Sequence, residues 1–261
     1  MAKKGGWAEF PHDNSAFVYD GAALKKNWAR LHKGDCEPVP TNKGAEEAWR
    51  LYHAGDFQGA YEAGVAAGLD GYNAANKAAC IYNNYLETSD AKKIKAYEDI
   101  AARCEELQAA QKKNANAFYL YAYAMGRYGQ LIGVAKALTQ GIGGKVRGAL
   151  ETAIKLEPKH ADAHIAHGTF QAEVVDKVGG MIGKMTYGAS KDGSVEMFEK
   201  AIKLNPESAV AKTEYANALF QLFGKAKVKD AEKLYAVAAG MTPLDAMECL
   251  DIEAAKEEIE E

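Results

Sequence analysis

"ALETAIKLEP" at residues 149–158 returns as "MFEKAIKLNP" at 197–206 and, more loosely, as "LYAVAAGMTP" at 234–243. The closing prolines of these phrases are 48 and 37 residues apart. Recurrence at this spacing is typical of helical repeats, in which each unit is a pair of helices and proline ends the second one. Because one pair cannot bury its apolar face alone, neighbouring units stack and share a core. The pattern predicts an all-α repeat protein.

Other stretches identify the kind of repeat. "HAGDFQGAYEAGVAAG" (53–68) resembles the turn and second helix of a tetratricopeptide repeat (TPR) unit, with small residues where the two helices approach closely. "NANAFYLYAYAMG" (114–126) and "HADAHIAHGTF" (160–170) resemble first helices of such units. The family repeat is 34 residues long, so the wider proline spacing here implies longer loops.

The resemblance implies a TPR-like superhelix of about five antiparallel helix pairs over residues 43–243. The pair over 72–107 is the least faithful to the family, because asparagines interrupt its apolar stripe. An N-terminal segment, 1–42, is expected to contain one helix capped by Asp20 and a linker. Residues 244–261 are expected to form an acidic, amphipathic capping helix.

Two consecutive units carry insertions, 130–144 and 178–193, which are apolar and rich in glycine. They exceed the family spacing by 12 and 14 residues and resemble each other, since "GQLIG" matches "GGMIG". Long insertions of this type also occur in TPR-like proteins of the microtubule-dynamics-regulator group, to which the second insertion is weakly similar. Apolar side chains in a loop favour burial, so both segments are expected to fold back onto the protein.

Bulk composition excludes several classes of function. The chain has 261 residues, of which 48% are hydrophobic and 26% charged, and its net charge is −4. Its basic residues are scattered, which is not the footprint of a nucleic-acid binder. No apolar run is long enough to span a membrane. Four widely spaced cysteines without a CxxC pair fit free thiols in a reducing compartment, so a soluble, cytoplasmic protein is expected.

The resemblance also implies where a partner would bind, because TPR units usually bind proteins or peptides through the concave face of their first helices. Ile165, Thr169 and Glu173 stand where a chaperone-tail receptor would carry basic or amide groups, so that partner class is not expected. A non-enzymatic scaffold for an unidentified protein or peptide is the leading hypothesis. The residues expected in this groove are Trp49, His53, Asn116, Tyr119, Tyr123, Arg127, Asp162, Thr169, Glu173, Thr213 and Asn217.

A second hypothesis concerns the two insertions. They either extend the core and the first helices or enclose a pocket for a lipid-like or other apolar small molecule, since methionine and glycine suit an adaptable apolar surface. The expected pocket residues are Ile132, Leu138, Ile182, Met185 and Tyr187.

A third hypothesis is metal binding by His160, His164 and His167, which share one helical stripe. One helix cannot wrap three ligands around an ion, and no HExxH or CxxC motif completes a set. Packed, hydrogen-bonded histidines are the alternative. No catalytic motif and no cofactor motif is present, so neither a catalytic residue, a metal ligand nor a cofactor is assigned.

Overall fold

A computed structural model describes residues 6–260, with side-chain surroundings through Ile259. Residues 1–5 and 261, at the ends of the predicted N-terminal segment and C-terminal helix, lie outside the described residues. Within the described range the chain forms thirteen α-helices and no strand. The helices are α1 (Gly21–Leu31), α2 (Lys43–His53), α3 (Phe57–Ala66), α4 (Tyr72–Tyr85), α5 (Asp90–Ala110), α6 (Ala115–Ile132), α7 (Val134–Thr139), α8 (Ile142–Leu156), α9 (Ala161–Tyr187), α10 (Lys191–Leu204), α11 (Ala209–Phe223), α12 (Val228–Ala239) and α13 (Ala246–Glu260).

Five antiparallel pairs make up the repeat region: α2 with α3, α4 with α5, α6 with α8, α9 with α10, and α11 with α12. The prediction of an all-α fold of paired helices is confirmed. Polar side chains begin the helices by accepting hydrogen bonds from exposed backbone N–H groups. Asp20 accepts from Ala23, as predicted, and Asn42 and Asn114 begin α2 and α6 in the same way.

Small residues let the helices of a unit approach closely. Ala60 is completely buried, and a Cβ atom added at Gly168 would lie 2.7 Å from the ring of Phe198. Phe198 is itself fully buried and stacks on Tyr215, which belongs to the next unit. One glycine therefore makes room for the ring that joins two units.

The two insertions fold differently. The first forms the short helix α7, whose Ala137 and Leu138 are buried. The second prolongs α9 across a kink at Gly179, where φ is 80°. The expectation that both insertions bury their apolar side chains is wrong for the second one, because Met181, Ile182 and Met185 are 54–83% exposed. Tyr187 of the same extension, in contrast, is half-buried because its ring lies against Gly143 of α8.

The terminal helices do more than cover the two ends. The helix α13 packs against α11 and α12, as expected of a C-terminal cap. Its first residues also reach the opposite end of the repeat region, where the O–H of Tyr52 in α2 lies 2.9 Å from the sulfur of Met247. Arg30 of α1 pairs with Glu248 at 2.7 Å. The helix α1 and the start of α13 therefore meet next to α2.

Among the described residues, no helix combines the length and the apolar content that a membrane span needs.

Candidate functional site

The inner surface of the first helices is partly covered by the chain itself. Trp49 and His53 on α2 are each 1% exposed, because Trp28 and His32 of α1 pack onto them. Asn116 on α6 is also buried. The residues expected to form the first half of an open groove are thus inaccessible in this structure.

The linker after α1 fills this part of the groove in the way an acidic peptide would. Asp35 accepts from the ammonium of Lys77 at 2.6 Å, and Lys77 also lies 3.3 Å from Asp162, a predicted groove residue. The amides of Asn73 and Asn116 both donate to Glu37, at 2.9 and 2.6 Å. Burial, reinforced by the charge of Asp35, raises the pKa of Glu37 to about 8.

Sequence reasoning missed Asp35, Glu37, Asn73 and Lys77. The sequence of α4 indicated an unusual polar site. Several of its polar residues, Asn73, Asn76 and Lys77 among them, are buried at positions that an ordinary repeat helix would keep apolar. This helix belongs to the pair that is least faithful to the family pattern. Asn73 and Lys77 bind the linker, whereas Asn76 accepts from Arg103 of α5.

The other half of the inner surface contains a cavity of about 150 Å³ between α6, α9 and α11. Six predicted groove residues line it: Tyr119, Tyr123, Arg127, Asp162, Thr169 and Glu173. Apolar residues of the first insertion and of α8 form its wall, with Leu138, Ile142 and Val146 among them. Met247 and Asp251 of α13 close one side.

Charged groups surround this apolar cavity. Arg127 donates to Glu214 at 3.0 Å and lies 5.5 Å from the centre of the Tyr123 ring. Gln130 donates to Glu173 at 3.0 Å, and burial raises the pKa of that carboxyl. The site therefore combines an apolar wall with hydrogen-bond donors and acceptors that are held in place at its rim.

Thr213 and Asn217 do not reach the cavity. Thr213 donates to the backbone oxygen of Ala209, and exposed Asn217 accepts from Tyr235. Glu214, between them in sequence, lines the cavity instead and accepts from Thr169 at 3.2 Å. On α11 the cavity is therefore lined by Val210 and Glu214 and not by Thr213 or Asn217.

The residues predicted to form the apolar pocket lie in different parts of the structure. Leu138 reaches the cavity, Ile132 packs on the central core, and Tyr187 lies over α8 beside Gly143. Ile182 and Met185 are 54% and 83% exposed and lie outside the cavity, so their assignment to a pocket is corrected. The two insertions do not jointly enclose one void of the expected few hundred Å³.

The histidines of α9 have individual contacts. His160 begins the helix: its Nδ1 accepts from the backbone N–H of Ala163, and its Nε2 lies 2.9 Å from Asn116 Oδ1. Nε2 of His164 lies 3.2 Å from the backbone oxygen of Pro158. Burial lowers the pKa of His160 to about 3 and lowers the pKa of His164 and His167 as well. In the part of the chain that the structure describes, no cluster of three or more histidine, cysteine or carboxylate side chains could hold a metal ion.

Comparison with solved structures supports the same fold. The chain is similar to a thermophilic TPR protein from Thermus thermophilus, with a TM-score of 0.56 and 14% sequence identity. The match covers 82% of this chain and 98% of that one. No protein-family model and no curated protein sequence matches the chain. The protein is thus a TPR-like helical repeat protein by fold.

Proposed function

We propose that this protein is a non-enzymatic scaffold that binds a peptide segment of a partner protein in the cavity between α6, α9 and α11. The observation that carries the proposal is the convergence of groove positions from two repeats, such as Tyr123 and Thr169, on one apolar cavity. The TPR-like fold supports a protein-interaction role.

The size of the cavity limits what enters it. A volume of about 150 Å³ holds a benzene-sized group. That is smaller than the roughly 300 Å³ at which small-molecule sites begin, so one bulky apolar side chain of a peptide fits better than a whole lipid-like molecule. Such an anchor in a desolvated pocket is the usual source of affinity in peptide recognition.

The rim supplies orientation. Arg127, Glu173 and Glu214 present charge next to the apolar wall, and Tyr123 offers a rigid amphipathic ring. Polar groups of a peptide backbone beside the anchoring side chain would find donors and acceptors there. A peptide with one aromatic or large aliphatic residue next to charged residues is the class of ligand that this arrangement favours.

Selection from a phage-displayed random peptide library tests this proposal. Gly126 lines the cavity, and a Cβ atom added there meets nothing within 4 Å. The Cβ atom of Gly126→Leu is therefore accommodated, and the rest of its side chain would occupy space at the cavity. Gly148, on the outer side of α8, also has open space and provides the matched control, Gly148→Leu.

Selected peptides should share a bulky apolar residue, and Gly126→Leu should weaken their binding at least about tenfold, a loss of about 1.4 kcal/mol. Gly148→Leu should bind like the original chain. Equal binding by both variants would place the peptide site elsewhere.

A small apolar molecule is the second candidate occupant of the same cavity, favoured by the wall of Leu138, Ile142 and Val146. Native mass spectrometry of the purified protein would show its added mass, which Gly126→Leu should remove. If the spectrum shows no added mass, the peptide remains the sole proposed occupant.

A further inference from the structure

Four buried side chains form a row that joins the end of α1, the linker after it and the start of α13 to α2. Asp35 Oδ1 lies 2.9 Å from His32 Nδ1, and His53 Nδ1 lies 2.7 Å from Asp245 Oδ2. Between them, the two Nε2 atoms of His32 and His53 are 3.2 Å apart. All four residues are at most 4% exposed.

The three contacts in this row determine how many hydrogens the four side chains must carry between them. Each of the three contacts needs a hydrogen, because a carboxylate oxygen and an unprotonated imidazole nitrogen are both acceptors. Two neutral imidazoles supply only two hydrogens. The row therefore holds one proton more than two neutral histidines and two carboxylates would carry.

The extra proton does not belong to Asp35. Burial alone would raise the pKa of this carboxyl, but the ammonium of Lys77 at 2.6 Å and the contact with His32 outweigh burial and hold the pKa well below its usual range. The extra proton is thus held among His32, His53 and Asp245, which the three contacts join.

We propose that the pair His32–His53 is a proton-binding site whose occupancy fastens α1 and the start of α13 to α2. The two rings end α1 and α2, and Asp245 immediately precedes α13. With the proton bound, one hydrogen-bonded row spans all three segments. Without it, two nitrogen lone pairs face each other at 3.2 Å in a buried site, and the His32–His53 bond is lost.

The groups around the row determine the pH at which the extra proton is released. The aromatic rings of Trp28 and Trp49 pack around the imidazoles and exclude water. Burial lowers the pKa of His32, and the carboxylate of Asp35 opposes that effect. The titratable or charged groups that face the row from the neighbouring elements are Tyr19, Arg30, Tyr52, Lys77, Asp162 and Glu248.

The variant Asp245→Asn tests the site because it replaces the extra proton by a fixed donor. Its amide can donate to His53 Nδ1, which lets His53 donate through Nε2 to His32 while His32 still donates to Asp35. The variant should fold, since Asp245 Oδ1 accepts from the Glu248 backbone N–H at 2.8 Å and asparagine begins a helix as well as aspartate does. Asp192→Asn, exposed in the first turn of α10, is the matched control.

Imidazole nitrogen shifts of the full chain, labelled with ¹⁵N at histidine, are followed by NMR from pH 5 to 9. In the original chain and in Asp192→Asn, the signals of both rings should shift together as the proton between them is released. In Asp245→Asn neither ring should titrate in this range. Wherever the extra proton is bound, at pH values above the usual aspartate pKa of about 4, the ratio of the unfolding constant of the original chain to that of Asp245→Asn should rise about tenfold per pH unit, because the histidines of the unfolded chain contribute equally to both proteins.

Three results would overturn the proposal. The first is that the rings of the original chain bind no additional proton at any pH tested, which the spectra of that chain show without any variant. The second is that the rings keep titrating in Asp245→Asn. The third is that elemental analysis of the purified protein finds a metal ion in equimolar amount, lost on His53→Gln.

Discussion

Asp251 on α13 offers the sharpest quantitative test of the electrostatics inside the groove. Its carboxyl is 4% exposed, accepts from the hydroxyl of Tyr85 and closes one side of the cavity. Burial raises its pKa from 3.8 to about 8, against the effect of the Tyr85 hydrogen bond and with a further contribution from Asp245. The native state therefore keeps a proton on Asp251 at neutral pH that the unfolded chain has lost.

The replacement Asp251→Asn imitates the protonated carboxyl and cannot titrate. Because the pKa of Asp251 is higher in the native state than in the unfolded chain, its contribution to the stability of the original chain is greatest below about pH 4. This contribution falls as the pH rises towards 8. Each pH unit in that range costs about 1.4 kcal/mol. Between pH 6 and 8 the variant should gain about 2 kcal/mol over the original chain, allowing for half-ionisation at pH 8.

Urea denaturation at pH 6, 7 and 8 measures this difference from the free energies of unfolding. Glu257→Gln, an exposed site on the same helix, is the control and should keep a constant difference from the original chain. A change of less than about 0.5 kcal/mol for Asp251→Asn between pH 6 and 8 would show that Asp251 is already ionised in the folded protein.

Two further predictions concern packing and buried charge. Gly168→Leu should lower the free energy of unfolding by about 1 to 3 kcal/mol, because its side chain would collide with the ring of Phe198. Gly148→Leu should not destabilise the protein, and equal thermal stability of the two variants would contradict this prediction. Lys77→Met should cost about 3 to 5 kcal/mol in urea denaturation, because it leaves the carboxylate of Asp35 buried without its cation, and adding Asp35→Asn should restore part of the loss. A double variant no more stable than Lys77→Met alone would refute this account of the pair.

The repeats were predictable because their signals are local. The "AIKL" phrases before Pro158 and Pro206, the small residue at Gly168 and the helix start at Asp20 act within one turn or one helix pair. Stacking of such units then leaves few alternatives for the core. The groove positions on α6 and α9 followed from the same register, and six of them do meet at the cavity.

The contents of the groove were not predictable in this way. His53 meets Asp245 across 192 residues of sequence, and Lys77 meets Asp35 across 42. No spacing rule connects such residues, because their distance depends on how all the intervening helices stack. The polar face of α4 was visible in the sequence, but its partner, the linker at Asp35 and Glu37, was not.

The sequence alone determined an all-α repeat protein of five helix pairs, with apolar insertions in two of them, since helix periodicity and close helix contacts are encoded within each unit. Only the tertiary structure decided that the linker and α13 occupy the inner surface, that Leu138 reaches a cavity while Met185 stays exposed, and that His32 and His53 face each other. The physical reason is that burial, pKa and hydrogen-bond partners depend on which distant segments come together in space, and a repeat pattern fixes only the neighbours of each unit.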